Sequence, residues 1–377
     1  MSLVWPAAEA DIVSAQSRLH AVIIAVSDYP HLNGGSGALA NDPLGLSQLT
    51  TPGFTGQAMA RWLLNDYNNP QCPLGSIEVL LSPSAAVPTA AGPVNATSAT
   101  MAEVEAAVTR WQARCHTHRD NIAWFYFCGH GISKNAQYLL PQDFGNPALG
   151  NPFKNCIDFD GLRVGLRKCQ AQTQLFFIDA CRETPFGLLT QVNVSGDPII
   201  GGAAFSDTVE CSAAYYATTQ TRLAYGPDSD VTYFGQALLW CLDGVGAIKR
   251  GIKWVVDTYS LGNALGQTMA QLGRRHRLPL ACNPDPSGMK RIHEAPGPRV
   301  VAAIGCTSEA ADSVANIRLT KDTIVLQSPP GQQKPLVERV DAGDWQIEIT
   351  FPAGAFPASA PESHRLMPPV FEGLEIP

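Results

Sequence analysis

No apolar run in this 377-residue chain approaches the roughly 20 residues that span a bilayer. The stretch from Met1 to Asp11 lacks a basic segment and already carries Glu9 and Asp11, so no secretory leader is expected. A basic surplus is missing as well. Lys and Arg total 26 against 33 Asp and Glu, for a net charge of −7, which argues against nucleic acid as a partner. Charged residues make up only 16% against 45% hydrophobic, the reverse of a disordered chain. No two of the ten cysteines have C-x-x-C spacing, and Cys115-His116-Thr117-His118 has no second pair of ligands at metal-site distance. Neither a metal nor another cofactor is expected. Without secretion, disulfides are not expected either, and most thiols should be small buried hydrophobes. These absences leave a soluble cytoplasmic protein with no nucleic-acid or membrane partner.

What is present is an alternation of short apolar runs with longer helical patterns. Strands are expected at His20–Ser27, Ile77–Leu81, Ile122–Phe127, Leu175–Ile178 and Ala213–Thr218. Helices are expected at Thr55–Tyr67, Ser98–His116 (capped by Ser98 or Thr100), Phe159–Cys169, Tyr233–Cys241 and Leu261–His276. That order implies βαβ crossovers, hence an α/β fold with a mostly parallel sheet flanked by helices. Composition changes near residue 283, since 13 of the 29 prolines fall in the last 95 residues. Ile317–Leu319, Thr323–Leu326, Pro335–Val340 and Trp345–Phe351 read as strands between Gly, Pro and Asp turns. The expected division is a domain over 1–285, a linker at 283–296, and a small all-β module over 297–360 with a Pro-rich tail to 377. His116, His118, His276 and His293 read as surface residues.

Two strand ends carry chemistry. One is Phe127-Cys128-Gly129-His130-Gly131, the other Phe177-Ile178-Asp179-Ala180-Cys181-Arg182. Ligands of an open parallel sheet bind beyond the carboxyl ends of its strands, so both tips should share the functional edge. A thiol becomes a nucleophile when a base such as imidazole stands beside it. Glycines around His130 let a substrate backbone approach and leave amides facing a developing oxyanion.

At these residues the chain resembles the caspase-like cysteine peptidases, that is caspases, metacaspases, paracaspases and their bacterial relatives (peptidase C14-like). His-Gly after one strand and Ala-Cys about 50 residues later, after another, is that family's signature. Ala25-Val26-Ser27-Asp28-Tyr29 with Leu39-Ala40-Asn41-Asp42 is similar to the first strand and Asn-Asp turn of metacaspases. Tyr216-Ala217-Thr218 with Tyr233–Leu238 is similar to the small-subunit strand and helix. The likeness covers about 20–282 and leaves the C-terminal module outside. It implies a caspase-like fold and a cysteine endopeptidase with catalytic His130 and Cys181, and an oxyanion hole from the N–H groups of Gly131 and Cys181.

The departure is Asp179-Ala180-Cys181-Arg182-Glu183 where caspases carry Gln-Ala-Cys-Arg-Gly, which takes the chain away from aspartate specificity. Metacaspases and paracaspases place acids where Asp179 and Asp42 stand, implying a substrate-binding S1 pocket for a basic P1 residue, Arg or else Lys. The third paracaspase acid falls in Thr219–Leu223, which has none. Between Glu183 and Thr221 there is no Lys or Arg, although Asp197 and Asp207 lie there, so activity is not expected to need cleavage of that loop. The implied partners are a protein substrate and an activating protease or regulator, and the implied role is regulated proteolytic signalling such as bacterial defence or cell death. The alternatives are an Asp-specific caspase-like peptidase and a caspase-fold scaffold that binds partners without catalysis. Gly35 to Ala40 loosely imitates a dinucleotide fingerprint, but it starts eight residues past the strand and Pro43 interrupts the helix it would need.

Overall fold

Burial on both faces is what a central strand of an α/β sheet requires, and five strands meet it or nearly so. In the computed structural model the described residues are 2–6, 15–182, 184–185, 194–201, 209–217, 226–227, 229–353, 355–357 and 360–373. Asp207 and the stretch Thr219–Leu223 lie outside them. The chain divides into two compact units, residues 1–236 with 282–290, and residues 237–281 with 291–377.

The first unit is built on a seven-stranded sheet. Its members are β1 (Leu3–Trp5), β2 (Leu19–Val26), β3 (Leu74–Ser82), β4 (Ile122–Gly129), β8 (Thr173–Ala180), β9 (Cys211–Tyr216) and β10 (Asn283–Ser287). A small three-stranded sheet of β5 (Gly131–Ser133), β6 (Gln137–Leu139) and β7 (Ile157–Asp158) leaves the end of β4. The large sheet runs β1-β3-β2-β4-β8-β9-β10, parallel from β3 to β9 with an antiparallel strand at each edge. Helices cover both faces. α1 (Pro52–Asn65) starts with Pro at its first turn, where the missing N–H costs nothing. It lies so close to β2 that a Cβ on Gly56 would sit 2.6 Å from that of Ala25. On the other face α2 (Met101–Cys115), capped by Thr100, buries Val104, Ala107, Val108 and Trp111 at helical spacing. α3 (Phe159–Leu166) joins it there, and Phe125, Phe159 and Phe176 pack together between helix and sheet.

Residues 283–287 are not a linker. They form β10, whose Pro284 and Pro286 stand opposite Tyr215 and Ala213. Proline is tolerated on a sheet edge because its missing N–H is not needed by a further strand.

The second unit contains the helix Thr258–His276, whose Asp257 makes a reciprocal capping box with Ser260. Strands Arg299–Ile304, Leu336–Asp341 and Val370–Gly373 form one sheet, and Asn316–Lys321, Ile324–Ser328, Gly343–Thr350 and Glu362–Leu366 another. Their inward residues, among them Val300, Ile317, Leu319, Trp345 and Ile347, make a separate core. The expected β character of this region holds, and the Pro-rich tail itself supplies two strands. His293, expected at the surface, is buried in the strand Arg291–Ala295.

Candidate active site

Strands β4 and β8 are parallel neighbours in register from Ile122↔Thr173 to Gly129↔Ala180. The offset is 51 residues at every pair, the same as that between His130 and Cys181. The two residues therefore leave their strands at the same height, on chains about 4.8 Å apart.

His130 is buried, and its ring is fixed by a main-chain group: Nε2 lies 2.6 Å from the carbonyl oxygen of Ser47. A carbonyl only accepts, so Nε2 carries the proton and Nδ1 is left as the basic nitrogen. Burial pulls the imidazole pKa below its ordinary value, while the Ser47 carbonyl opposes that shift. The main chain of His130 is held by Tyr29. Its N–H donates to Tyr29 Oη at 2.8 Å, that hydroxyl donates to the carbonyl of Leu140 at 3.2 Å, and the N–H of Leu140 donates back to the His130 carbonyl at 3.0 Å. The phenol thus inserts into what would be an ordinary ladder pair, and its ring stands 4.9 Å from the imidazole.

Both glycines around His130 are required by packing. A Cβ on Gly129 would fall 2.7 Å from Tyr29 Oη, and one on Gly131 would fall 2.6 Å from the Cys181 carbonyl oxygen. With His130 opposite Leu140 as the bonded pair, antiparallel alternation turns the N–H of Gly131 away from its ladder partner Leu139. Cys181 is half-buried. Its carbonyl accepts from Gln137 Nε2 at 3.0 Å, Gln137 Oε1 accepts from Arg182 Nε at 3.1 Å, and the Arg182 guanidinium stacks 4.2 Å over Tyr216. The ten cysteines form no disulfide.

Asp179 sits opposite Cys128, is 3% exposed, and directs one oxygen at three neutral donors. Oδ2 accepts from Tyr126 Oη at 3.1 Å, from Cys128 Sγ at 3.4 Å and from Thr232 Oγ1. Among the described residues no cation pairs with it. Burial pushes its pKa up to about 6, with the three donors pulling the other way. Asp179, Cys128, His130, Gly131, Cys181 and Thr232 all line one cavity of about 660 Å³. Asp42, expected beside Asp179, does not line it. That carboxylate is exposed, and its Oδ1 accepts the N–H of Leu44 at 2.9 Å.

Sequence reasoning missed Tyr29, Ser47, Gln137 and Thr232. Tyr29 had a signal, since it closely follows a buried strand at the sheet's carboxyl edge. Ser47 acts through its main chain, which no residue type announces.

The family model described as the caspase domain, Peptidase C14, matches residues 18–328. It runs past the expected limit near 282, into the strands at Asn316–Lys321 and Ile324–Ser328. An uncharacterized protein y4kE of Sinorhizobium fredii is 34% identical over 211 residues, 53% of this chain and 59% of that protein. The chain thus matches somewhat over half the length of that relative. Among solved structures, protein GSU0716 of Geobacter sulfurreducens overlaps at a TM-score of 0.45 with 13% identity, covering 74% of this chain and 98% of that one. Caspase-1 of Spodoptera frugiperda overlaps at 0.42 with 14% identity, covering 73% and 90%.

Proposed function

The chain belongs to the caspase-domain family of peptidases, and from that premise we propose that it is a cysteine endopeptidase cutting after a basic residue, Arg first and Lys second. Cys181 gives its proton to His130 Nδ1 and its sulfur attacks the peptide carbonyl. The N–H groups of Gly131 and Cys181 hold the oxyanion, and His130 then protonates the leaving amine. Water, deprotonated by the same imidazole, hydrolyses the thioester and restores the thiol. Regulated proteolysis, as in bacterial defence or cell death, is the role this reading carries over from the family.

The observation that supports the specificity is Asp179, a carboxylate buried at the cavity with neutral donors on Oδ2 and, among the described residues, no cation paired with it. A buried charge without a counter-ion is costly, and a substrate guanidinium or ammonium would supply one. Arg is favoured over Lys because its planar fork carries five N–H donors against three. Matched fluorogenic peptides ending in Arg, Lys or Asp test this. Turnover is expected in that order, with Asp about 100-fold or more below Arg. Preference for Asp would keep the chemistry and discard the pocket.

Tyr29→Phe tests how His130 is positioned. Loss of the bridging hydroxyl is expected to lower kcat about 10- to 100-fold with KM almost unchanged, since the phenol touches the histidine main chain and not the substrate. A rise in KM alone in the steady-state kinetics would contradict that role.

A further inference from the structure

The cavity has two chemistries. Asp179, Cys128 and Thr232 are polar members of its lining, while the β2–α1 connection brings Leu44, Leu46 and Leu49 as an apolar wall interspersed with Ser47, Gln48 and Thr50, and Ile132 also lines the cavity. Its volume of about 660 Å³ exceeds what a single extended Arg side chain fills. The three leucines pack against the core below but remain only partly buried, so apolar surface stays open to the cavity. Burial would normally draw such side chains fully into the interior.

The loop is built to prevent that. Residues 43–46 form a turn closed by the Leu46 N–H to the Pro43 carbonyl at 2.9 Å, with φ of 55° at Leu44 and 75° at Gly45. Both central residues are left-handed, a turn that favours Asn or Asp before Gly, and leucine rarely adopts the first of these positions. Non-glycine residues in that region are found where the surroundings force them, often at ligand sites. Here polar groups do the forcing. Asp42 Oδ1 accepts the Leu44 N–H, and Asn33 donates to the Leu46 carbonyl from its main chain at 3.3 Å and from Nδ2 at 2.8 Å. Gln48 bonds both the N–H and the carbonyl of Tyr29, at 2.7 and 3.0 Å. The same loop supplies the Ser47 carbonyl that holds His130. Leu44 and Leu46 are thus presented on a segment fixed to the catalytic histidine.

We propose that this wall is a subsite for an apolar side chain adjoining the basic residue of the substrate, so that the enzyme reads a pair of residues, one apolar and one basic. This rests on the basic-P1 reading above. An acidic side chain is disfavoured by Asp179, the one carboxylate among the described lining residues. In this arrangement Asp42 acts on specificity by holding the turn and does not contact the substrate cation.

The test is a scan of internally quenched peptides with Arg fixed at P1 and Leu, Phe, Gly, Ser or Asp placed in turn at P2 and at P1′. Wild type, Leu44→Ser, Leu46→Ser and Leu46→Met are compared. At one of the two positions wild type is expected to favour Leu over Ser by about tenfold or more, the scale of one apolar side chain in a pocket. Each Ser variant is expected to reduce that ratio to about threefold or less while still preferring Arg to Asp at P1, and Leu46→Met is expected to keep it. A flat response at both positions with Arg peptides readily cut would overturn this subsite alone, as would an apolar preference that survives both Ser changes. Failure to cut after any basic residue would remove the P1 reading together with it.

Discussion

Cys181→Ala is expected to lower peptide hydrolysis by about 10⁴-fold or more while leaving the thermal midpoint close to that of the parent chain. Cys181 is half-buried, so replacing its sulfur by hydrogen removes little packing. The nine other thiols offer no substitute in the cavity except Cys128, which is buried against the Asp179 carboxylate and whose pKa is driven far up by both burial and that charge. Burial likewise pushes Cys72 and Cys241 up to about 12 and Cys169 to about 11. Such thiols hold their protons at neutral pH and are poor nucleophiles. Alkylation by iodoacetamide at pH 7, read by peptide mass, is accordingly expected to modify Cys181 first. Rapid labelling at a buried cysteine, or a variant that still hydrolyses peptides, would sink the assignment. A scaffold protein would bind its partners equally well with either residue at this position.

Asp179→Asn is expected to move activity and stability in opposite directions. The pocket would lose its charge while keeping its shape, because an amide oxygen can still accept from Tyr126, Cys128 and Thr232. Turnover of Arg peptides should fall about 100- to 1000-fold, the cost of removing one partner of a buried charge pair. Stability should rise, and the sign follows from the pKa. The folded value is about 6 against an ordinary value of 3.8, so the folded chain binds the extra proton between these limits. Stability of the parent therefore declines as pH rises through that window, and above it the full penalty of a buried carboxylate is present. The shift corresponds to roughly 3 kcal/mol, in favour of the Asn variant at pH 7 and vanishing below about pH 4. Thermal melts of both proteins from pH 4 to 8 measure it. In parallel, kcat/KM of the parent for Arg peptides should drop as pH falls through about 6, since that parameter reports the free enzyme and the protonated carboxyl no longer attracts a cation. Unchanged Arg turnover in Asp179→Asn would mean that the P1 cation is held elsewhere.

The central strands could be read because their chemistry is local. Ile122–Phe127 and Leu175–Ile178 are apolar without interruption, which only a doubly covered strand tolerates, and His130 and Cys181 each come three residues after the run ends. The 51-residue spacing then equals the β4–β8 register, so a number visible in the chain becomes a distance in space. The β character beyond residue 297 was equally legible, as in Gly343–Thr350, where buried residues alternate along the strand. Edge strands were harder. Asn283–Ser287 has the composition of a linker and pairs only because β9 leaves an edge open to it.

Composition, strand patterns and two short motifs settled the architecture of the parallel sheet and named His130, Cys181 and Asp179, because each of these is written in contiguous residues. Which parts of residues 27–52 meet those strand ends was decided only by the fold. That connection places the Tyr29 hydroxyl and the Ser47 carbonyl on His130, and it moves Asp42 off the pocket to hold the turn beneath Leu44. The path of a loop depends on long-range packing and on main-chain groups that are identical in every residue, and so leaves no mark in the order of side chains.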